Sequence, residues 1–202
     1  MPIKKSVLVI NGHPSTQSLN HSLSRSFADG AQSANHSVTI LDIYQMDPQL
    51  PIVNYQTPDD WKNDQPIRAH YQQMIADADV IAIFHPLWWG GWPALLKNFI
   101  DQTLTPGFAY HFDDHSKMPK ALVVKPKGLL KGKKVRVFIT YDAYTFLYIV
   151  LFVPFIITWA LFVLFFCGIT NMRFTLHQRV RFSSSQTRGK WIERAFRRGR
   201  SL

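Results

Sequence analysis

The most informative part of this sequence is residues 79–110, DVIAIFHPLWWGGWPALLKNFIDQTLTPGFAY. Residues 79–84 are apolar and largely β-branched after the initial aspartate, without the polar alternation of a half-exposed strand. Such a run predicts a strand that is buried on both faces of a parallel sheet. Pro86 cannot donate a ladder hydrogen bond and is predicted to stop this strand, and Pro93 is predicted to open a helix at its first turn.

The loop between these two prolines holds Trp88, Trp89 and Trp92 together with Gly90 and Gly91. Open α/β sheets bind ligands outside the carboxyl ends of their strands, which is where this loop is predicted to lie. A flat aromatic ligand would find stacking rings, an approachable backbone and free amides there. Each tryptophan taken singly is typical of a core or an interface, whereas the cluster favours a ligand platform.

Strands and helices are predicted to alternate along the rest of the chain. Further strands are predicted at 5–11, 37–43, 135–140 and 171–176, and further helices at 19–34, 65–78 and 183–200. The polar loop GHPSTQSLN, residues 12–20, is neither a Gly-x-Gly-x-x-Gly nor a Walker sequence. Its hydroxyls and amides precede a helix N-terminus, which favours a bound phosphate, although serine and asparagine also cap helices that bind nothing.

Three segments carry a family resemblance: HPLWWGG at 85–91, PALLK at 93–97 and TPGFAY at 105–110. Together they resemble the signature of the flavodoxin-like NAD(P)H:quinone oxidoreductases of the DT-diaphorase type. The resemblance and the alternation of elements predict a flavodoxin-like α/β fold. Residues 1–202 are expected to form one domain around a doubly wound, five-stranded parallel sheet in the order 2-1-3-4-5.

The resemblance implies an enzyme that transfers two electrons from NADPH or NADH, through bound FMN or FAD, to a quinone or similar electrophile. It implies that three loops bind the flavin. Their residues in this sequence are His13, Ser15, Gln17, Ser18, Leu19 and Asn20, then Pro86, Leu87, Trp88, Trp89 and Gly90, and finally Thr140, Tyr141, Asp142 and Ala143.

The third loop departs from the family pattern, which often reads Thr-Thr-Gly-Gly where this chain has Thr140-Tyr141-Asp142-Ala143. Tyr141, Tyr148 and Asp142 are the candidate proton-carrying groups of catalysis. Tyr148 falls where some members have a pocket tyrosine, whereas the histidine that accompanies it aligns with Pro154. The flavin carries the chemistry in this family, so no side chain is required as an acid, base or nucleophile.

An uncharged segment at 146–166 is long enough to cross a membrane as a helix. The strands on either side of it are predicted to share one parallel sheet, however, which excludes a crossing between them. We therefore expect a helix whose apolar outer face lies in a homodimer or against a membrane surface. A basic C-terminal helix, 185–200, would add to a membrane contact.

The net charge of +10 is concentrated in the second half, with 17 basic and two acidic residues from Lys117 onward. Charge alone does not predict a specific nucleic-acid partner, and the stretch 110–115 lacks the spacing of an established metal site. The one cysteine, Cys167, is expected to be buried and fits a reducing compartment. We expect a cytoplasmic protein, with peripheral contact at the inner face of the membrane as an open alternative.

A second function belongs to another class: a non-catalytic ancillary or regulatory subunit at a membrane transporter or membrane surface. Flavodoxin-like relatives of this type serve bacterial potassium-efflux systems in that way. The departures in the third loop favour this reading, and the intact tryptophan and first-loop motifs favour the enzyme.

Overall fold

A computed structural model describes residues 3–54, 56–57, 59, 65–112, 126–143 and 154–202. Its centre is a parallel sheet whose strands are β1 (Ser6–Asn11), β2 (Ser37–Asp42), β3 (Val80–Pro86), β6 (Lys134–Thr140) and β7 (Asn171–His177). Their spatial order is β2-β1-β3-β6-β7, so the predicted five-stranded order is confirmed. Two short strands, β4 (Tyr110–His111) and β5 (Lys127–Gly128), form a separate antiparallel pair that the sequence pattern does not predict.

Strand β3 lies in the middle of the sheet, paired with β1 on one side and β6 on the other. All seven of its residues are buried, and the apolar run at 80–84 predicted this burial for most of the strand. The strand runs through Pro86, two residues beyond the predicted run. Pro86 does not break the sheet because the next amide, that of Leu87, donates to the Thr140 carbonyl at 2.8 Å.

Helices cover both faces of the sheet. The helices are α1 (Leu19–Ser33), α2 (Gln65–Asp77), α3 (Ala94–Thr103), a π-helix (Thr158–Phe165) and α4 (Ser185–Arg200). Helices α1 and α4 share one core with alternate residues of β1 and β3. Residues of α2, α3 and the π-helix share the core on the opposite face. This is the doubly wound arrangement that the sequence predicted.

The apolar segment 146–166 is described from residue 154 onward. The π-helix buries Trp159 and Leu164, while Leu161, Phe162 and Phe165 are exposed, so its outer face is apolar as expected. Among the described residues, no helix is both long and apolar enough to span a membrane. Cys167 follows the π-helix and is buried, and burial raises the pKa of its thiol to about 12.

Helices α1 and α4 touch backbone to backbone at two glycines. A Cβ atom built on Gly30 would lie 2.0 Å from the Phe196 carbonyl oxygen, and one on Gly199 would lie 2.0 Å from the Phe27 carbonyl oxygen. Neither position has room for a methyl group. Because α1 also forms one wall of the cleft described below, this contact sets where that wall stands.

We expect Gly199→Ala to lower the free energy of unfolding by about 3 kcal/mol, because the helices must separate to admit the methyl group. Gly189→Ala is the matched control, since Gly189 lies on the same helix with nothing within 4 Å of its added Cβ. The control should raise stability by about 0.5–1 kcal/mol through helix propensity. Urea unfolding measures both, and equal stability of the two variants would contradict the packing argument.

Candidate functional site

A cleft of ≈ 430 Å³ opens at the carboxyl ends of β1, β3 and β6. Its lining comes from the loops after these strands, from the start of α1 and from the loop after β7. The lining residues are His13, Ser18, Leu19, Asn20, Pro86, Leu87, Trp88, Trp89, Thr140, Tyr141, Asp142 and Val180. The structure thus brings most of the predicted flavin-binding residues to one place. Val180 was missed because a single valine in a loop carries no signal.

Four predicted residues do not line this cleft: Ser15, Gln17, Gly90 and Ala143. Ser15 and Gln17 are exposed, and they shape the first loop. The Ser15 amide donates to His13 Nδ1 at 3.0 Å, and the Gln17 amide donates to Ser15 Oγ at 3.3 Å. Tyr148 lies outside the described residues, so its role stays a prediction.

The first wall of the cleft is the start of α1. Ser18 caps the helix, and its hydroxyl accepts from the His21 amide at 3.3 Å. The first amides of a helix have no intrahelical acceptor, and here Leu19 and Asn20 bring that end of the helix to the cleft. Such a terminus favours an anion, above all a phosphate.

Asn20 connects the first wall to the third. It is buried, and its Nδ2 donates to Thr140 Oγ1 at 2.8 Å, across 120 residues of sequence. Its Oδ1 has no hydrogen-bond partner among the described residues. Buried acceptors are rarely left unpaired, so this oxygen is available to a ligand that carries a donor.

A buried polar group supports the first loop from below. His21 Nε2 lies 3.2 Å from Asp42 Oδ2 and 3.3 Å from the His13 carbonyl oxygen. Asn11 Nδ2 contacts the same ring nitrogen. The His13 ring in turn meets Trp88 edge to face, with centroids 5.6 Å apart. This cluster of polar side chains joins β1, β2 and α1. No spacing of residues in the sequence predicts it.

The tryptophan loop is a tight turn. Trp88 and Gly91 exchange amide-to-carbonyl hydrogen bonds of 3.2 and 2.9 Å, and both central residues have positive φ, 49° at Trp89 and 73° at Gly90. Positive φ at both positions defines a type I′ turn and explains the glycine. Gly90 therefore serves the turn rather than the cleft wall.

The three tryptophans have two different roles. Trp88 is 44% exposed and Trp89 is entirely exposed, and both line the cleft. Trp92 does not line it; its ring packs 4.9 Å from Phe155 and 5.4 Å from Trp159. The predicted platform thus has two of the three rings, and the third belongs to the contact between the loop and the apolar segment.

The third wall follows β6 and is tied to the loop after β7. The Tyr141 amide donates to the His177 carbonyl at 3.0 Å, and the Val180 amide donates to the Tyr141 carbonyl at 3.2 Å. Asp142 Oδ1 accepts from the Arg181 amide at 2.6 Å. These bonds hold the third loop in place without the glycines that the family often has there. The proposed proton-carrying roles of Tyr141 and Asp142 stay predictions.

Two histidines near this edge of the sheet are buried among aromatic rings. His85 on β3 lies 6.0 Å from Phe155 and from Trp159, and burial lowers its pKa to about 4. His177 on β7 packs between Phe138 and Trp191. Burial, with Arg198 and Arg194 nearby, lowers its pKa to about 4 as well. Both are therefore neutral at physiological pH.

A family model described as a flavodoxin-like fold, Flavodoxin_2, matches residues 5–200. This chain belongs to the Flavodoxin_2 family. The family resemblance predicted from the HPLWWGG, PALLK and TPGFAY motifs is thereby confirmed.

Several curated proteins are similar to this Flavodoxin_2 chain. It is 29% identical over 194 residues to an uncharacterized NAD(P)H oxidoreductase of Haemophilus influenzae, covering 93% of this chain and 91% of that protein. It is 25% identical over 147 residues to the FMN-dependent NADH:quinone oxidoreductase of Macrococcus caseolyticus, covering 60% and 69% of the two chains.

Another similar protein is the glutathione-regulated potassium-efflux system ancillary protein KefG of Yersinia pestis. The match is 31% identical over 110 residues, covering 54% of this chain and 51% of that protein. Among solved structures, the NAD(P)H:quinone oxidoreductase from Methanothermobacter marburgensis has the same fold, with a TM-score of 0.77 at 19% identity. That match covers 99% of this chain and 98% of the other.

The buried histidines of this Flavodoxin_2 protein should make it sensitive to acid. An unfolded histidine titrates near pH 6.5. As the pH falls from about 6.5 towards 4, the unfolded chain therefore takes up protons that the folded protein does not. The free energy of unfolding should fall by about 1.4 kcal/mol per pH unit for each such histidine.

We expect His177→Phe to make this fall shallower, since a phenyl ring suits the space between Phe138 and Trp191 and cannot take a proton. Urea unfolding at pH 7.5 and at pH 5 measures the slope. His70→Ala is the control, because His70 is exposed. An unchanged slope in His177→Phe would show that His177 does not contribute to the acid sensitivity.

Proposed function

We propose that this protein is a flavin-dependent NAD(P)H oxidoreductase that passes two electrons from NADPH or NADH to a quinone or similar electrophile. One observation carries the proposal. A single cleft joins the N-terminus of α1 to the two exposed tryptophan rings, at the carboxyl ends of the central strands. That combination suits a ligand with a phosphate at one end and a flat ring at the other.

The residues on the cleft wall fit a flavin part by part. Ser18, Leu19 and Asn20 would hold the phosphate and the ribityl chain, through the amides of the first turn of α1 and the unpaired Oδ1 of Asn20. Leu87, Trp88 and Trp89 would hold the ring system by apolar contact and stacking. Thr140, Tyr141 and Asp142 would border its far edge.

A bound flavin supplies the two-electron chemistry, and the chain's own part is to bind and orient. The hydrogen bond from Asn20 to Thr140 fixes the distance between the first and third walls of the cleft. The type I′ turn fixes the direction of the two rings. Because Trp88 and Trp89 leave the cleft open, a donor and an acceptor can enter in turn. Tyr141, Asp142 and Tyr148 are the groups we would test for a part in proton delivery.

The similarity to an oxidoreductase named as FMN-dependent favours FMN over FAD as the resident flavin. We further propose that residues 1–202 form one domain, that the protein acts in the cytoplasm and that it works as a homodimer. The exposed apolar face of the π-helix is the surface that a second copy or a membrane would cover.

The second candidate is an ancillary subunit that acts by binding, at a membrane transporter or at the membrane surface itself. The similarity to KefG over 110 residues supports it. So do the altered third loop and the exposed Leu161, Phe162 and Phe165 on the π-helix. Under this hypothesis the cleft is either a former active site that no longer catalyses a reaction or a site where a flavin regulates binding.

The visible spectrum of the purified protein separates the two candidates. The enzyme should carry a yellow chromophore that bleaches with NADPH or NADH without oxygen and recovers when a quinone is added. A colourless protein that FMN and FAD both fail to reconstitute would overturn the oxidoreductase and leave the ancillary subunit.

We expect Trp88→Ala to weaken FMN binding about tenfold, because ring stacking contributes on the order of 1–3 kcal/mol. Phe162→Ala is the control: it removes an aromatic ring that is 69% exposed on the π-helix and does not line the cleft. Quenching of FMN fluorescence on titration with apoprotein measures both. Equal affinity of the two variants would contradict the placement of the ring system.

A further inference from the structure

A second cavity, of ≈ 480 Å³, lies at the opposite edge of the sheet, where β6 and β7 begin. The last turn of α4 closes it from above. Basic side chains dominate its lining, which consists of Lys134, Arg136, Asn171, Arg173, Phe174, Arg198, Ser201 and Leu202. No aspartate or glutamate is among them.

Two of its arginines are cross-strand neighbours. Arg136 on β6 stands directly opposite Arg173 on β7 in the parallel register. Adjacent strands are about 4.8 Å apart, and like charges placed directly opposite each other destabilise a sheet. A fold that keeps this pair next to Arg198 has a local excess of positive charge.

Arg136 and Arg198 have polar partners in this cavity, but within the described part of the chain no aspartate or glutamate pairs with them. Arg136 Nη1 donates to Asn171 Oδ1 at 3.1 Å and to the Val135 carbonyl at 2.9 Å. Arg198 donates to Thr175 Oγ1 and lies over the Phe138 ring at 5.8 Å. The ion pairs formed among the described residues are His21–Asp42, Lys97–Asp101, Arg181–Asp142 and Arg197–Glu193, and none involves a cation of this cavity.

Mutual repulsion acts on these side chains, of which Arg136 is half-buried and Arg173 and Arg198 are exposed. The pKa of Arg136 is lowered by burial and then by Arg173 and Arg198, and that of Arg198 by burial, Arg194 and Arg173. Asp79 is near Lys5 at the same edge, but it accepts from the Ser6 amide at 2.8 Å and does not line the cavity. An anion from outside would relieve the repulsion.

We propose that this cavity is a binding site for an anion with two adjacent phosphate groups, held between Arg136 and Arg173 with Arg198 and Lys134 at its rim. Guanidinium groups donate two parallel hydrogen bonds to phosphate oxygens, which makes arginine the suitable residue. Two neighbouring arginines match two neighbouring phosphates. The site lies at the opposite ends of the strands from the tryptophan cleft, so it does not depend on the function proposed for that cleft.

Inorganic pyrophosphate is the probe, titrated calorimetrically at fixed ionic strength. We expect Arg173→Gln to weaken its binding about tenfold, the loss of charged hydrogen bonds to one phosphate. Without pyrophosphate, the same substitution should raise the melting temperature, because it removes one of the opposed charges. Arg197→Gln is the matched control: it removes an equal charge from α4, but Arg197 pairs with Glu193 and does not line the cavity.

Vesicles of phosphatidylcholine, with and without diphosphatidylglycerol, distinguish a lipid headgroup from a soluble diphosphate. If the protein sediments with the anionic vesicles, if pyrophosphate prevents this, and if Arg173→Gln abolishes it, the ligand is a lipid headgroup. Pyrophosphate binding without sedimentation identifies a soluble ligand. Binding of neither probe would overturn the site, and so would an equal loss in Arg197→Gln, since that result means attraction by net charge alone.

Discussion

Strand β3 is buried on both faces, and this burial dictates how the other strands and the helices are arranged. A strand with no exposed face needs parallel neighbours on both sides and a layer of helices above and below. Its parallel neighbours are β1 and β6. One face of the sheet is covered by α1 and α4, and the other is covered by α2, α3 and the π-helix. Parallel strands that start at one edge finish together at the other. Three loops far apart in sequence therefore converge into one cleft.

Much of this was predictable because it is encoded locally. The uniform apolar run before His85 is enough to predict a central strand, and the polar loop before Leu19 is enough to predict the N-terminus of a helix. The order of the strands in the sheet followed from the alternation of strands and helices and from the family resemblance. Trp88 and Trp89 were correctly expected at the carboxyl ends of the central strands.

The remaining features depend on contacts between distant residues, which a single sequence does not display. Trp92 belongs to the packing of the apolar segment, because its ring meets Phe155 and Trp159. The contact between His21 and Asp42 forms only when β1 has paired with β2 and α1 has packed against them. The opposition of Arg136 and Arg173 depends on the register of β6 against β7. The sequence alone shows that the second half of the chain is basic. Only the strand register shows that two of these basic residues, Arg136 and Arg173, lie opposite each other.

Cys167 gives the molecule a property that matters if its acceptors are quinones. Quinones are electrophiles that add to accessible thiolates and inactivate the proteins that carry them. Cys167 is the chain's only cysteine, and it lies buried behind the π-helix with a pKa of about 12, so almost none of it is thiolate at neutral pH. A quinone reductase built in this way would not offer its substrates a site of covalent damage.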